Sequence, residues 1–282
     1  MRQKRTRTRT TRRKTAKTNK WRQPLLLMTG LLLFAVVCYH YRDGLAYYFG
    51  FKSDKTLIDK AREKRVSDIR NHQLLKRHSA LLSGIDVSEY QGNIEWDSVR
   101  NLEGSYPVRF VFIRATAGND RPDSKFVQNW AAAKKHNIIR GAYHYYRPNE
   151  NSLEQAALFI KTVKLRKGDL PPVLDIEQLP KNQSFDSLKK GLQRWLNKVE
   201  AHYGVKPIIY SGEKYYTSFL KEEFAAYPFW IANYNFFVEE IKDGWLFWQF
   251  TEKATVNDIP GNVDVNLFNG TAKELRYLTV GN

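Results

Sequence analysis

From residue 81 onward the chain alternates between two hydrophobic patterns. Apolar runs at residues 83–87, 110–115, 138–145, 172–177, 207–211, 229–234, 246–250 and 263–268 have the length of buried strands. Between the early runs, residues 123–136, 153–163 and 185–202 carry apolar side chains at helical spacing. Strand–helix alternation predicts parallel pairing with helices packed outside, and eight runs predict a closed barrel. The connectors at 235–244 and 251–262 read as loops. The fold class expected for residues 81–282 is therefore α/β, an irregular β/α (TIM-like) barrel whose last helices are short or missing.

The pattern upstream is different. Residues 24–41 form one apolar stretch, and 18 residues of helix span about 27 Å, close to a bilayer core. Tyr39 and Tyr41 suit the interface, and the preceding residues 1–23 hold eleven Lys and Arg with no acid. The reading is a basic cytoplasmic tail over 1–23, a transmembrane anchor over 24–41 and a stalk over 42–80, with the barrel facing the periplasm or cell wall. Three other readings compete: a cleaved signal peptide, which lacks a small-residue cleavage pair; a lipid-modified Cys38, which follows the bulky Val37; and a nucleic-acid-binding tail, which explains the charge but not the apolar run. In the stalk, Ile58, Ala61, Val66, Ile69 and Leu74 hint at a helix with a thin apolar stripe.

Charge divides the chain at the same place. The formal charge is +17, yet residues 1–80 hold 21 Lys and Arg against 5 acids, and residues 81–282 hold 25 against 24. A nucleic-acid-binding body would carry its excess on the folded domain, so no nucleic-acid partner is expected. With one cysteine, Cys38, there is no intrachain disulfide and no cysteine-rich metal site. No metal, nucleotide or other cofactor is implied, and no required protein partner is evident.

The chemistry collects at strand ends. The run Pro171-Pro172-Val173-Leu174-Asp175-Ile176-Glu177 ends in two carboxylates. Strand side chains alternate faces, so Asp175 and Glu177 point the same way with α-carbons about 6.6 Å apart. Burial and like charge push their pKa values apart and leave one protonated near neutrality, which is what glycosidic bond cleavage uses. Asp86, Arg114, Tyr143, Tyr145, Tyr210, Tyr234, Trp248, Gln249 and Asp264 end or punctuate the other runs. In a barrel these ends converge on one face. An acidic cleft with aromatic walls suits a sugar polymer. Arg114 serves equally well as an ion-pair partner of a buried acid, and aromatics such as Trp230 pack cores in general. His144 has no second histidine at metal spacing and reads as a core residue.

The motifs that carry these residues resemble glycoside hydrolase family 25, the Chalaropsis-type lysozymes. They are Gly84-Ile85-Asp86-Val87-Ser88 with Tyr90-Gln91-Gly92, Phe112-Ile113-Arg114-Ala115-Thr116, Gly141-Ala142-Tyr143-His144-Tyr145, Leu174-Asp175-Ile176-Glu177, Ile209-Tyr210-Ser211, Trp230-Ile231-Ala232, Trp248-Gln249-Phe250 and Val263-Asp264-Val265-Asn266. The resemblance implies an irregular barrel and an N-acetylmuramidase that cuts the β-1,4 bond between N-acetylmuramic acid and N-acetylglucosamine in peptidoglycan. By position it makes Glu177 the general acid and Asp175 the group that steadies the substrate's acetamido group. Asp86 and Asp264 match the further acids of the cleft, and Tyr210 a tyrosine near the sugar. One position departs: Ala117 stands where many relatives carry an acid. The alternatives are a non-catalytic wall-binding module and a chitinase-like glycosidase.

Overall fold

A computed structural model describes residues 22–40, 57–257 and 259–281. The chain forms two compact units, residues 1–49 and 50–282. In the first, helix α1 (Arg22–His40) exposes Leu27, Leu31, Leu32 and Phe34 on all sides. Here the anchor expectation needs correction. Arg22, Gln23 and His40 close the helix with polar groups, so its apolar part, residues 24–39, spans only about 24 Å. Among the described residues no helix is long and apolar enough to cross a membrane. Tyr41, expected to end the span, lies outside the described residues, as does the basic tail before Arg22.

The second unit is the barrel. Its strands are β1 (Leu82–Val87), β2 (Asn101–Leu102), β3 (Tyr106–Ala117), β4 (Arg121–Pro122), β5 (Ile139–Tyr145), β6 (Val173–Asp175), β7 (Ile208–Gly212), β8 (Phe229–Ala232), β9 (Trp245–Ala254) and β10 (Val263–Phe268). Leaving aside the two-residue β2 and β4, eight strands close into a ring through the β1–β3 and β1–β10 pairings. Pairing is parallel from β1 through β3 to β9, whereas β10 runs antiparallel to both neighbours. The reversal of β10 departs from all-parallel pairing. The short connector between Ala254 and Val263 accounts for it, since a parallel crossover needs a dozen or more residues.

Three helices follow the strands as the periodicity indicated: α3 (Phe126–Lys135), α4 (Ser152–Thr162) and α5 (Phe185–Tyr203). In α5, Ser184 caps the first turn by accepting from the Ser187 amide, and Gly204 ends the helix at φ 71°, where a Cβ would be strained. Between them Leu188, Leu192, Trp195, Leu196 and Val199 make one buried stripe. After β7 comes a single turn, α6 (Glu213–Tyr215), that runs into a π-helical turn over Tyr216–Leu220. Helix α7 (Ala272–Leu278) closes the chain below β10.

No helix among the described residues joins β8 to β9, and the stretch read as a stalk stands there instead. Helix α2 (Leu57–Arg77) lies along the outside of β9. Leu74 and Leu75 are buried, and the Arg70 guanidinium donates to the carbonyls of Phe250 (2.8 Å) and Asn235 (2.9 Å). Glu63 meets Lys253 at 2.6 Å, near the end of β9, while Arg77 pairs with Glu239. The buried face is thus largely polar, with Ser67, Arg70 and Asn71, whereas Ile69 of the expected stripe is exposed.

Inside the ring, alternate residues of each strand face inward, even-numbered ones on β1, β3, β7, β8 and β10 and odd-numbered ones on β5, β6 and β9. Phe110, Phe112, Trp230, Phe247 and Phe268 fill the lower half. Phe112 stacks on Trp230 with ring centroids 4.4 Å apart. Two strand glycines make the room: a Cβ on Gly84 or Gly141 would lie 2.5 Å from a carbon of the Phe110 or Phe112 ring, respectively. The acids above therefore rest on an apolar floor.

Candidate active site

The strand ends open into a pocket of about 230 Å³. Register sets its walls. Asp86 pairs directly with Asp264 across β1 and β10. Tyr145, Asp175 and Tyr210 lie abreast on β5, β6 and β7. Strand β6 itself stops at Asp175, but the Ile176 amide donates to the Tyr210 carbonyl (3.0 Å), which carries the extended geometry on to Glu177. All four acids line the pocket, with Arg114, Tyr143, Tyr145, Tyr210 and Gln249.

A chain of hydrogen bonds organises the Asp86 side. Trp230 Nε1 donates to Asn266 Oδ1 (2.8 Å), which turns the Asn266 amide nitrogen toward Asp86 Oδ2 (2.7 Å). The Gln249 amide nitrogen donates to the same oxygen at 2.8 Å. Gln249 is itself oriented by the hydroxyls of Tyr210 (2.7 Å) and Tyr234, which both donate to its carbonyl oxygen. Tyr234 thus acts through Gln249 and is not part of the pocket lining.

Burial sets the charge states. It pushes the Asp86 carboxyl up to about 6, against the Asn266 and Gln249 amides that favour the anion. Asp264 is pushed up to about 9 by burial and then by the Asp86 charge. Near neutrality Asp264 is the protonated member and Asp86 the anion. Burial also raises both Asp175 and Glu177, Asp175 the more because Glu177's charge adds to its burial. Two acids so placed titrate as a pair, the proton on one favouring the anion of the other. Asp175 Oδ1 is buried and makes no hydrogen bond within the protein. Tyr143 is raised well above the usual phenol range, first by burial and then by Asp86, and stays a donor.

Arg114 is an ion-pair partner and also faces the pocket. It lines the pocket, and its Nε and Nη2 donate to Asp123 and Glu89, each at 2.9 Å. His144 is a core residue, held between Thr116 Oγ1 (2.7 Å) and Gln155 Oε1 (3.0 Å) and kept neutral by burial, which lowers it to about 4.

Trp248 requires correction. It is fully buried outside the barrel wall, packs against Phe250 and His78, and donates from Nε1 to the Asn233 carbonyl at 3.0 Å. Adjacent residues of one strand face opposite ways, so Trp248 and Gln249 were never both able to reach the cleft. Trp230, read as core, does line the pocket, because it shares the inward face of β8 with Ala232. Ser88, Tyr90 and Gln91 also line it, from a 3₁₀ turn over Glu89–Gln91. Only their position in a motif marked them in the sequence.

A β/α barrel with carboxyl groups gathered at its open mouth and an apolar floor beneath is a scaffold of the glycoside hydrolase class. More closely, the chain belongs to the glycosyl hydrolases family 25, whose family model matches residues 85–259. It is 40% identical over 206 residues to the uncharacterized protein YegX of Escherichia coli (strain K12), covering 72% of this chain and 75% of that protein. It is 35% identical over 212 residues to Lysozyme M1 of Streptomyces globisporus, covering 70% of this chain and 71% of the lysozyme. Among solved structures, the bacterial lysozyme from Streptomyces coelicolor superposes with a TM-score of 0.63 at 31% identity, covering 70% of this chain and 96% of that one.

Proposed function

We propose that the protein is a peptidoglycan hydrolase, an N-acetylmuramidase cleaving the β-1,4 bond between N-acetylmuramic acid and N-acetylglucosamine. The observation that carries this reading is the Asp175–Glu177 pair. Both are raised by burial, they titrate as a pair, and Asp175 Oδ1 has no partner in the protein. A buried carboxylate oxygen left without a donor is costly unless a ligand supplies one. The acetamido N–H of a 2-acetamido sugar is such a donor.

The chemistry then runs as follows. The pair's proton sits on Glu177 once the acetamido N–H binds Asp175 and favours its anion. Glu177 gives that proton to the glycosidic oxygen, and the C1–O bond breaks. The substrate's own acetamido oxygen bonds to C1 from the opposite face, while Asp175 stabilises the positive charge on the nitrogen. Water, deprotonated by Glu177, attacks C1 and expels the acetamido oxygen. Two inversions give net retention without a protein nucleophile, a recognised exception to the two-carboxylate scheme. The Asp86–Asp264 pair and Tyr210 hold the sugar's hydroxyls.

Location is part of the same proposal. The polymer lies outside the cytoplasmic membrane, so the barrel works at the periplasm or cell wall. Exposed leucines of α1 favour an attachment to the envelope, and membrane fractionation after a high-salt wash tests it.

The decisive experiment is mass spectrometry of peptidoglycan digested by the wild type and by Glu177→Gln. Muramic acid at the new reducing ends is expected, with the variant slower by about 10³-fold. Glucosamine ends, digestion of chitin oligomers in preference, or a fully active variant would refute the assignment. Binding of insoluble wall without new ends would instead favour a non-catalytic module.

A further inference from the structure

Beyond the acids, we propose that Tyr90 is the aromatic platform of the cleft, taking the apolar face of a hexosamine ring next to the bond being cleaved. The proposal rests on the peptidoglycan reading for its ligand and on four structural observations for its site. Tyr90 is 73% exposed, so packing does not explain the ring. It nonetheless lines the same pocket as Asp175 and Glu177.

One face of the ring is already held. The Arg114 guanidinium carbon lies 4.5 Å from the ring centroid, a cation–π contact from a residue that is itself buried. Arg114 cannot drift, because Asp123 and Glu89 fix its two ends.

The backbone beneath is rigid as well. Ser88 and Gln91 form a reciprocal capping box around the turn. The Glu89 carboxylate accepts from Arg114, from Arg121, and from the Ser124 amide (3.1 Å) and hydroxyl (2.8 Å). The Glu89 amide in turn donates to Asp123 at 2.9 Å, and Gln91 reaches the Asn262 carbonyl at 3.3 Å. An exposed aromatic would ordinarily lose freedom on binding a ligand. Here that freedom is removed in advance, so covering the ring gives its full benefit. The chemistry of the partner follows: a flat, uncharged, C–H-rich face beside polar hydroxyls, which is one side of a pyranose.

The position assigns the subsite. Tyr90 projects from the turn after β1, whereas Glu177 follows β6 on the other side of the ring of strands. The platform therefore serves a neighbouring sugar and not the one that receives the proton. Its loss should weaken binding and spare the chemical step.

The test uses the full chain with Tyr90→Ala and Tyr90→Phe. On solubilised glycan strands, Tyr90→Ala is expected to raise KM about tenfold, the worth of one covered ring face, while kcat stays within about twofold. Tyr90→Phe is expected to restore the wild-type KM. Sedimentation with insoluble peptidoglycan in the Glu177→Gln background reads binding without turnover, and the same tenfold weakening is expected there. Unchanged KM and sedimentation overturn the proposal. So does an equal loss in Tyr90→Phe, which would credit the hydroxyl, or a fall in kcat and Tm together, which would make the ring structural. If the wild type releases no reducing ends, the hydrolase reading fails, while sedimentation still judges the platform.

Discussion

Replacing Asp264 by Asn should stabilise this protein while disabling its cleft. Asp86 Oδ2 already takes two amide donors, from Asn266 and Gln249. The proton on Asp264 is what reconciles a second buried carboxyl with the Asp86 anion. The folded state holds that proton up to about pH 9, whereas an unfolded aspartate releases it near its ordinary value of 3.8. Because the folded value is raised, the stabilising contribution is complete below the unfolded pKa and is lost as pH rises toward the folded one. Each pH unit across that window costs about 1.4 kcal/mol, so roughly 4 kcal/mol is lost between pH 4 and pH 7. An asparagine keeps the shape, can donate an N–H to Asp86, and needs no proton. Asp264→Asn should match the wild type near pH 4 and exceed it by roughly 10 °C in Tm at pH 7. Thermal unfolding at half-unit steps from pH 4 to pH 8 measures this. A gap that is absent, constant, or larger on the acid side would show that Asp264 carries no bound proton, and the charge assignment of the cleft would fall with it.

Three further outcomes can be checked with ordinary equipment. Because burial raises both Asp175 and Glu177, hydrolysis should decline as pH rises and the pair loses its proton. Asp175→Asn should lower the rate and move that alkaline limb to lower pH, since Glu177 no longer ionises beside an anion. A limb that stays in place would mean another group titrates there. Arg70→Met should cost on the order of 3 kcal/mol, since it leaves the carbonyls of Phe250 and Asn235 without their charged donor. The same change should free α2 to early proteolysis, and a Tm within about 1 °C of wild type would mean that the helix is not part of the folded unit.

Much of the barrel was legible because strand burial leaves a plain mark on composition. The expected run 263–268 coincides with β10, and α5 was found to within one residue. The acids could be gathered from the sequence because closure brings every strand end to one rim. What escaped obeys other physics. Trp248 shared a motif with Gln249, but alternation gives the cleft to only one of two neighbours. Helix α2 docks largely through Arg70 and backbone carbonyls, so a search for apolar periodicity found the buried Leu74 but also picked out Ile69, which is exposed, and passed over Ser67, Arg70 and Asn71. The reversal of β10 follows from loop length rather than from anything in the strand. Tyr90 looks like any exposed tyrosine until Arg114 is seen beneath it.

Helix α2 descends from the level of Lys253 to that of Glu239, so its Leu57 end lies on the open side of the barrel. The trailing end does the reverse, since Val280 is bound to Gly168 and Asp169 beneath β6. The two ends of the barrel unit are thus unequal handles. Immobilised near Val280, the barrel would turn its mouth outward to a passing polymer; held at the Leu57 end of α2, it would work toward whatever holds it.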